Sequence, residues 1–215
     1  MKLGTLILLS LLPLLPLDAQ ARPVAYLGGI SFMLENRSLG TTGQTEAMAT
    51  YAFLPSLAGG VHASTFRMPE ERTRVFALPT LTALVHRWNE YSTQANLYVG
   101  GGYGPEWSEG RTRAAGLLTA EGDAETREYY VSARYESMGL FTGEPMNCVR
   151  GRVGFSPYQG EMEGLQAWAL LQVDRRDWLD DTSITPTLRL FYRNVLLELG
   201  VSLRGEWAFN WSLEL

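Results

Sequence analysis

The last nine residues, Trp207-Ala-Phe-Asn-Trp-Ser-Leu-Glu-Leu215, constrain the fold more than any other stretch of the chain. On an extended strand Trp207, Phe209, Trp211, Leu213 and Leu215 point to one side, and Ala208, Asn210, Ser212 and Glu214 to the other. A face built from Trp, Phe and Leu suits lipid better than water. The polar face behind it suits the lumen of a closed sheet. The five apolar residues are therefore expected to face lipid on the closing strand of a transmembrane β-barrel.

The other end of the chain agrees. Met1-Lys2 is a short positive start, Leu6 to Leu17 is an apolar run, and Ala19-Gln20-Ala21 is a small-x-small cleavage site. Residues 1–21 read as a secretory signal peptide cut after Ala21, leaving 22–215 as one barrel domain. The run is too short to span a bilayer, and Pro13 and Pro16 break it as a helix. No other stretch is long and apolar enough for a membrane helix. Mean hydropathy is close to neutral, as expected where every second residue of a barrel is polar. The formal net charge of −5 offers nothing to nucleic acid. Cys148 is the only cysteine, which excludes an intramolecular disulfide and a thiolate metal cluster. It reads as a small residue near a strand start.

Period-two segments bounded by turn residues number about twelve. They lie near 24–34, 46–54, 58–67, 74–87, 93–103, 113–122, 127–137, 148–157, 164–174, 184–192, 195–203 and 207–215. Between 35 and 90 the alternation is less clean, which leaves counts of ten or eight open. If Leu215 lies at the periplasmic rim, every second link is periplasmic and short. The outer links, among them Glu35 to Thr45 and Arg175 to Ser183, are then longer. A two-residue turn at Arg193-Asn194 sets Tyr192 opposite Val195 and Arg189 opposite Glu198. A three-residue turn at Arg204-Gly205-Glu206 sets Leu203 opposite Trp207 and Leu199 opposite Trp211.

By the same parity Arg134, Glu136, Arg150, Arg152, Arg189 and Glu198 fall on the luminal face, with Glu214, Asn96 and Gln172. Such charges either fill a narrow barrel as cross-strand pairs or line a selectivity path. If the lumen conducts, Arg134, Arg150 and Arg152 outnumber nearby carboxylates and favour anions. His62 and Ser64 share a face but lack a third orienting group, so a lipid hydrolase is not the leading reading. His62 and His86 fall low on neighbouring strands, close enough to suggest a metal pair. No catalytic residues, cofactor or metal ligands are assigned. Gly100-Gly-Gly-Tyr-Gly104 lacks the Lys and helix of a phosphate loop and reads as strand curvature. Asp174 to Asp181 reads as a charged outer loop.

Two resemblances attach to these residues. The terminal strand resembles the one that bacterial outer-membrane β-barrels present to their assembly machinery, which usually ends in Phe where this chain has Leu215. The patches Arg152-Val-Gly-x-x-Pro157-Tyr158, Gly160, Gly164, Trp168, Gln172-Val-Asp174, Arg87-Trp-Asn89, Ser92 to Tyr98 and Thr185 to Leu188 resemble an uncharacterised family of proteobacterial secreted proteins. Together they imply a Gram-negative outer-membrane, porin-like barrel of about twelve antiparallel strands. Membrane lipids, lipopolysaccharide and the barrel assembly machinery are its expected partners. A narrow channel or structural envelope barrel is the leading role. A membrane-embedded enzyme acting on lipid or lipopolysaccharide and a soluble periplasmic ligand-binding barrel are the alternatives.

Overall fold

A computed structural model describes residues 26–39, 42–69, 72–158 and 164–215. The expected signal peptide and its cleavage site lie outside the described residues. The strands are β1 (Ile30–Leu39), β2 (Thr42–Leu54), β3 (Leu57–Arg67), β4 (Thr73–Asn89), β5 (Gln94–Ser108) and β6 (Arg111–Glu125). They continue as β7 (Tyr129–Leu140), β8 (Met146–Phe155), β9 (Gln166–Arg176), β10 (Asp181–Tyr192), β11 (Val195–Val201) and β12 (Trp207–Glu214). Each pairs antiparallel with its neighbours in sequence, and β1 pairs with β12 to close a twelve-strand barrel. Ile30 and Leu215 exchange backbone hydrogen bonds at 2.8 Å each, which brings these two residues to one rim, the terminal rim. Closure satisfies every strand edge.

Side chains alternate as the sequence pattern requires. Along β9, Trp168, Leu170, Gln172, Asp174 and Arg176 are buried inside, while Leu171 and Val173 are exposed on the outer wall. On β12, Trp207 and Leu215 are exposed on the outer wall, with Phe209, Trp211 and Leu213 between them on that face. Ser212 and Glu214 are buried inside.

The strands run further from the terminal rim than their apolar segments suggest. Residues 35–39 and 42–45, read from sequence as an outer link, belong to β1 and β2. Residues up to Arg176 belong to β9, followed only by a short 3-10 turn, Asp177–Leu179. The β5–β6 turn is Glu109-Gly110 alone, both at positive φ, as a tight hairpin turn demands. The links at the far rim are thus short, and the longest link, residues 156–165, lies at the terminal rim. The expected loop asymmetry is therefore absent, although the other four links at the terminal rim are as short as expected. Charged residues resemble loop residues in a sequence, but here Glu35, Arg37, Asp174 and Arg176 point inward and pair.

The β10–β11 hairpin has the expected register, with Tyr192 opposite Val195 and Arg189 opposite Glu198. The β11–β12 hairpin is two residues away from expectation: Leu199 faces Phe209, and Val201 faces Trp207. Ser202 ends the pairing early. Its N–H donates to the Glu206 carbonyl at 2.7 Å, and its hydroxyl accepts from the Arg204 and Glu206 amides at 3.2 Å each. A slip of two preserves the faces, so the outward row of β12 is unchanged.

Candidate functional site

The site is the interior of the barrel, and its centre is a belt of ion pairs. Glu35 and Arg37 rise from β1 and pair with each other. Asp174, fully buried on β9, accepts from Arg37 Nη1 at 2.8 Å and from Arg150 Nε at 2.8 Å. Arg176 approaches the same carboxylate at 3.7 Å. Arg150, on β8, also donates through Nη2 to Glu35 at 2.9 Å. Around the wall β1 and β8 are separated by β12, β11, β10 and β9, so this contact crosses the lumen from nearly opposite sides.

A second group joins it. Glu198 Oε1 accepts from Arg189 Nε at 2.7 Å and lies 3.4 Å from Arg152 Nη1. Its other oxygen accepts from Asn210 Nδ2 at 2.9 Å. Arg152 Nε donates to Gln172 at 2.6 Å, and the Arg189 guanidinium lies 4.5 Å from the centre of the Tyr130 ring. Arg134 pairs with Glu136 one step along β7.

All six luminal charges singled out in the sequence thus lie on the inner wall, but in a different balance. Glu35, Arg37, Glu46, Asp174 and Arg176 join them, and sequence reading had assigned Glu35, Arg37 and Arg176 to links. Arg150 has Glu35 and Asp174, Arg152 has Glu198, and Arg134 has Glu136. Each of the three arginines that favoured anions therefore has a carboxylate partner.

The far half of the lumen, inside β3 to β8, holds an apolar cluster. Phe66, Phe76, Leu78, Leu117, Met138 and Met146 form one buried cluster. The 3-10 turn caps it: Trp178 meets Phe66 edge to face at 5.8 Å, and Asn147 holds Asp177 through its amide at 2.8 Å and side chain at 2.6 Å. Sequence parity missed this cluster because both faces of these strands are apolar. That also explains the poor alternation along β4. Beside the cluster Arg74 pairs with the fully buried Glu106 at 2.7 Å. Outside the lumen, Arg72 pairs with Glu144 at 2.7 Å and holds its carboxyl below the usual range.

Beside the belt lies a cavity of about 40 Å³ bounded by His62, Thr80, Thr82, Tyr98, Glu121 and Arg134, among others. His62 Nε2 stands 3.3 Å from Glu46, while Ser64 donates to the Met138 sulfur at 3.1 Å. Serine and histidine therefore engage different partners and form no relay. The suggested histidine pair also fails. A β-bulge between Leu84 and His86 turns His86 to the outer wall against Trp88, at 4.3 Å between ring centres. It also turns Arg87 inward onto Asn96 at 2.7 Å. Cys148 is buried on the inner wall near the start of β8.

No protein-family model matches the chain, and no curated protein matches it. The resemblance to the uncharacterised secreted family thus gains no support. Solved structures do match. The KdgM porin in complex with disordered oligogalacturonate is 11% identical, with 86% of this chain and 97% of that chain covered and a TM-score of 0.47. The NanC porin is 10% identical over 85% of this chain and 97% of that one, with a TM-score of 0.42. The beta domain of the Bordetella autotransporter BrkA is 9% identical over 86% and 96%, with a TM-score of 0.44.

Proposed function

We propose that this chain is an outer-membrane β-barrel whose lumen is closed across its middle by ion pairs. It serves the envelope as a sealed or very narrow barrel, and not as an open diffusion pore. Its location is supported by the outward aromatic and aliphatic face, including Trp207, Phe209, Trp211, Leu213 and Leu215, around an interior that holds the charges. Lipid and lipopolysaccharide are then its surroundings, and the barrel assembly machinery its route into them. A soluble ligand-binding barrel would carry the opposite faces, with apolar residues lining the inside throughout and charges outside.

The cross-lumen contact of Arg150 with Glu35 carries the closed reading. Breaking a buried pair by removing one partner costs about 3–5 kcal/mol, because the remaining charge is left uncompensated. A solute passing the belt would have to supply that compensation itself. Removing both partners leaves space without an orphan charge.

Planar-bilayer recording tests this. The wild type should show no steady conductance, and the double variant Glu35→Ala/Arg150→Ala should conduct. Steady conductance from the wild type would overturn the closed reading in favour of an open narrow channel.

A further inference from the structure

We infer that His62 and Glu46 hold a proton between them that tightens the ion-pair seal, so that the closed lumen loosens as pH rises. This rests on the closed reading above and adds the signal that regulates the belt.

The chain contains two histidines, His62 and His86. The bulge in β4 turns His86 to the outer wall, so only His62 lies inside. It is 1% exposed, and its Nε2 stands 3.3 Å from a carboxylate oxygen of Glu46, which is equally buried. Among the described residues no guanidinium comes within ion-pair distance of Glu46. Its other oxygen accepts from the Gln44 side-chain amide, which brings no charge. The belt arginines Arg37 and Arg150 are engaged by Glu35 and Asp174 instead.

Register makes this position more demanding. Glu46 lies directly opposite Glu35 on β1, and like charges directly opposite one another destabilise a strand pair. A bare nitrogen lone pair facing a buried carboxylate is costly as well, so a proton belongs on His62 Nε2 or on Glu46. With both ring nitrogens protonated, the pair is neutral as a whole. Releasing one proton leaves a net negative charge beside Glu35, the residue that reaches Arg150 across the lumen.

The other groups facing His62 do not replace that proton. On β7, Arg134 is paired with Glu136, and Glu121 of β6 stands opposite Arg134. From β5 comes the Tyr98 side chain. β4 presents only Leu78, directly opposite, and Thr80. One guanidinium thus faces two carboxylates, and the surroundings of the imidazole are acidic.

Protons also have a route to the pair. The cavity of about 40 Å³ beside His62 exceeds the ~10–15 Å³ that one water needs, and Thr80, Thr82, Thr119 and Glu121 give it polar walls. From Glu121 the inner row of β6 continues through Asp123 to Glu125, where the strand ends at the terminal rim. All three positions are partly exposed. A ladder of carboxylates therefore joins the terminal mouth to the cavity.

The test combines urea unfolding of the full chain in lipid vesicles with planar-bilayer recording, each at about pH 6 and about pH 9, on either side of the range in which histidine changes charge. Loss of one proton from the folded state alone raises the unfolding constant by up to about tenfold per pH unit. The wild type should therefore unfold at least severalfold more readily at the higher pH. His62→Gln and Glu46→Gln should lose that difference, and His86→Gln should keep it. Groups such as the α-amine titrate alike in all four proteins and drop out of the comparison. If neither pair variant folds, ¹³C-labelled histidine in His86→Gln leaves the His62 ring as the single signal, and it must pass from imidazolium to neutral as pH is raised. In the recordings the wild type should stay closed at the lower pH and open briefly, severalfold more often, at the higher. A pH response shared by wild type and pair variants, a wild type more stable at the higher pH, a ring that never changes charge, or openings equally frequent at both would overturn the inference. Steady conductance already at the lower pH would overturn the closed reading instead.

Discussion

Asp174 carries more of the interior than any other residue. Arg37, Arg150 and Arg176 all converge on its carboxylate, and the carboxylate is fully buried. Removing it leaves three cations facing one another, with Glu35 as the remaining acid among them. We expect Asp174→Ala to destabilise the barrel by about 3–5 kcal/mol, the cost of an uncompensated buried pair. Urea unfolding in lipid vesicles measures it. A loss within the range of an exposed ion pair, up to about 1 kcal/mol, would mean that water reaches the belt and compensates the arginines.

At the scale of a strand, β12 tests the assignment of faces. Trp211 lies on the outer wall between Leu34 and Leu197, while Ala208 lies inside opposite Arg37. Trp211→Asp puts a carboxylate against lipid and should cost about 2–4 kcal/mol near the midplane. Ala208→Asp gains a cation as neighbour and should cost much less by the same unfolding measurement. Equal losses would show that the two faces see the same surroundings. The β11–β12 slip does not touch this contrast, since a two-residue shift moves each side chain along its own face. The bulge in β4 does the opposite. One extra residue exchanges faces, which is how His86 leaves the lumen and Arg87 enters it.

For the whole molecule, a closed sheet with an apolar exterior predicts a specific behaviour in the cell. The protein should fractionate with the outer membrane and migrate faster on a gel before heating than after. The mature chain should begin at Arg22. Recovery from the soluble periplasm, or Met1 retained on N-terminal sequencing, would contradict this.

The twelve strands, their antiparallel order and the outward row ending at Leu215 were legible in the sequence alone. Each depends on local alternation and on turn residues, and both are properties of neighbours in the chain. The Arg189–Glu198 pairing was legible for the same reason, because a two-residue turn fixes register. Tertiary structure decided the rest. Glu35 and Arg150 lie 115 positions apart, and only closure of the barrel places them face to face. The extension of β1, β2 and β9 was hidden because a charge in a strand looks like a charge in a loop until its partner is known. The apolar cluster around Phe76 was hidden because two apolar faces erase the period-two contrast. The sequence determines which residues point in or out along a strand. Which inward residues meet is set by curvature and closure, because these bring distant strands within the few ångströms over which buried charges compensate one another.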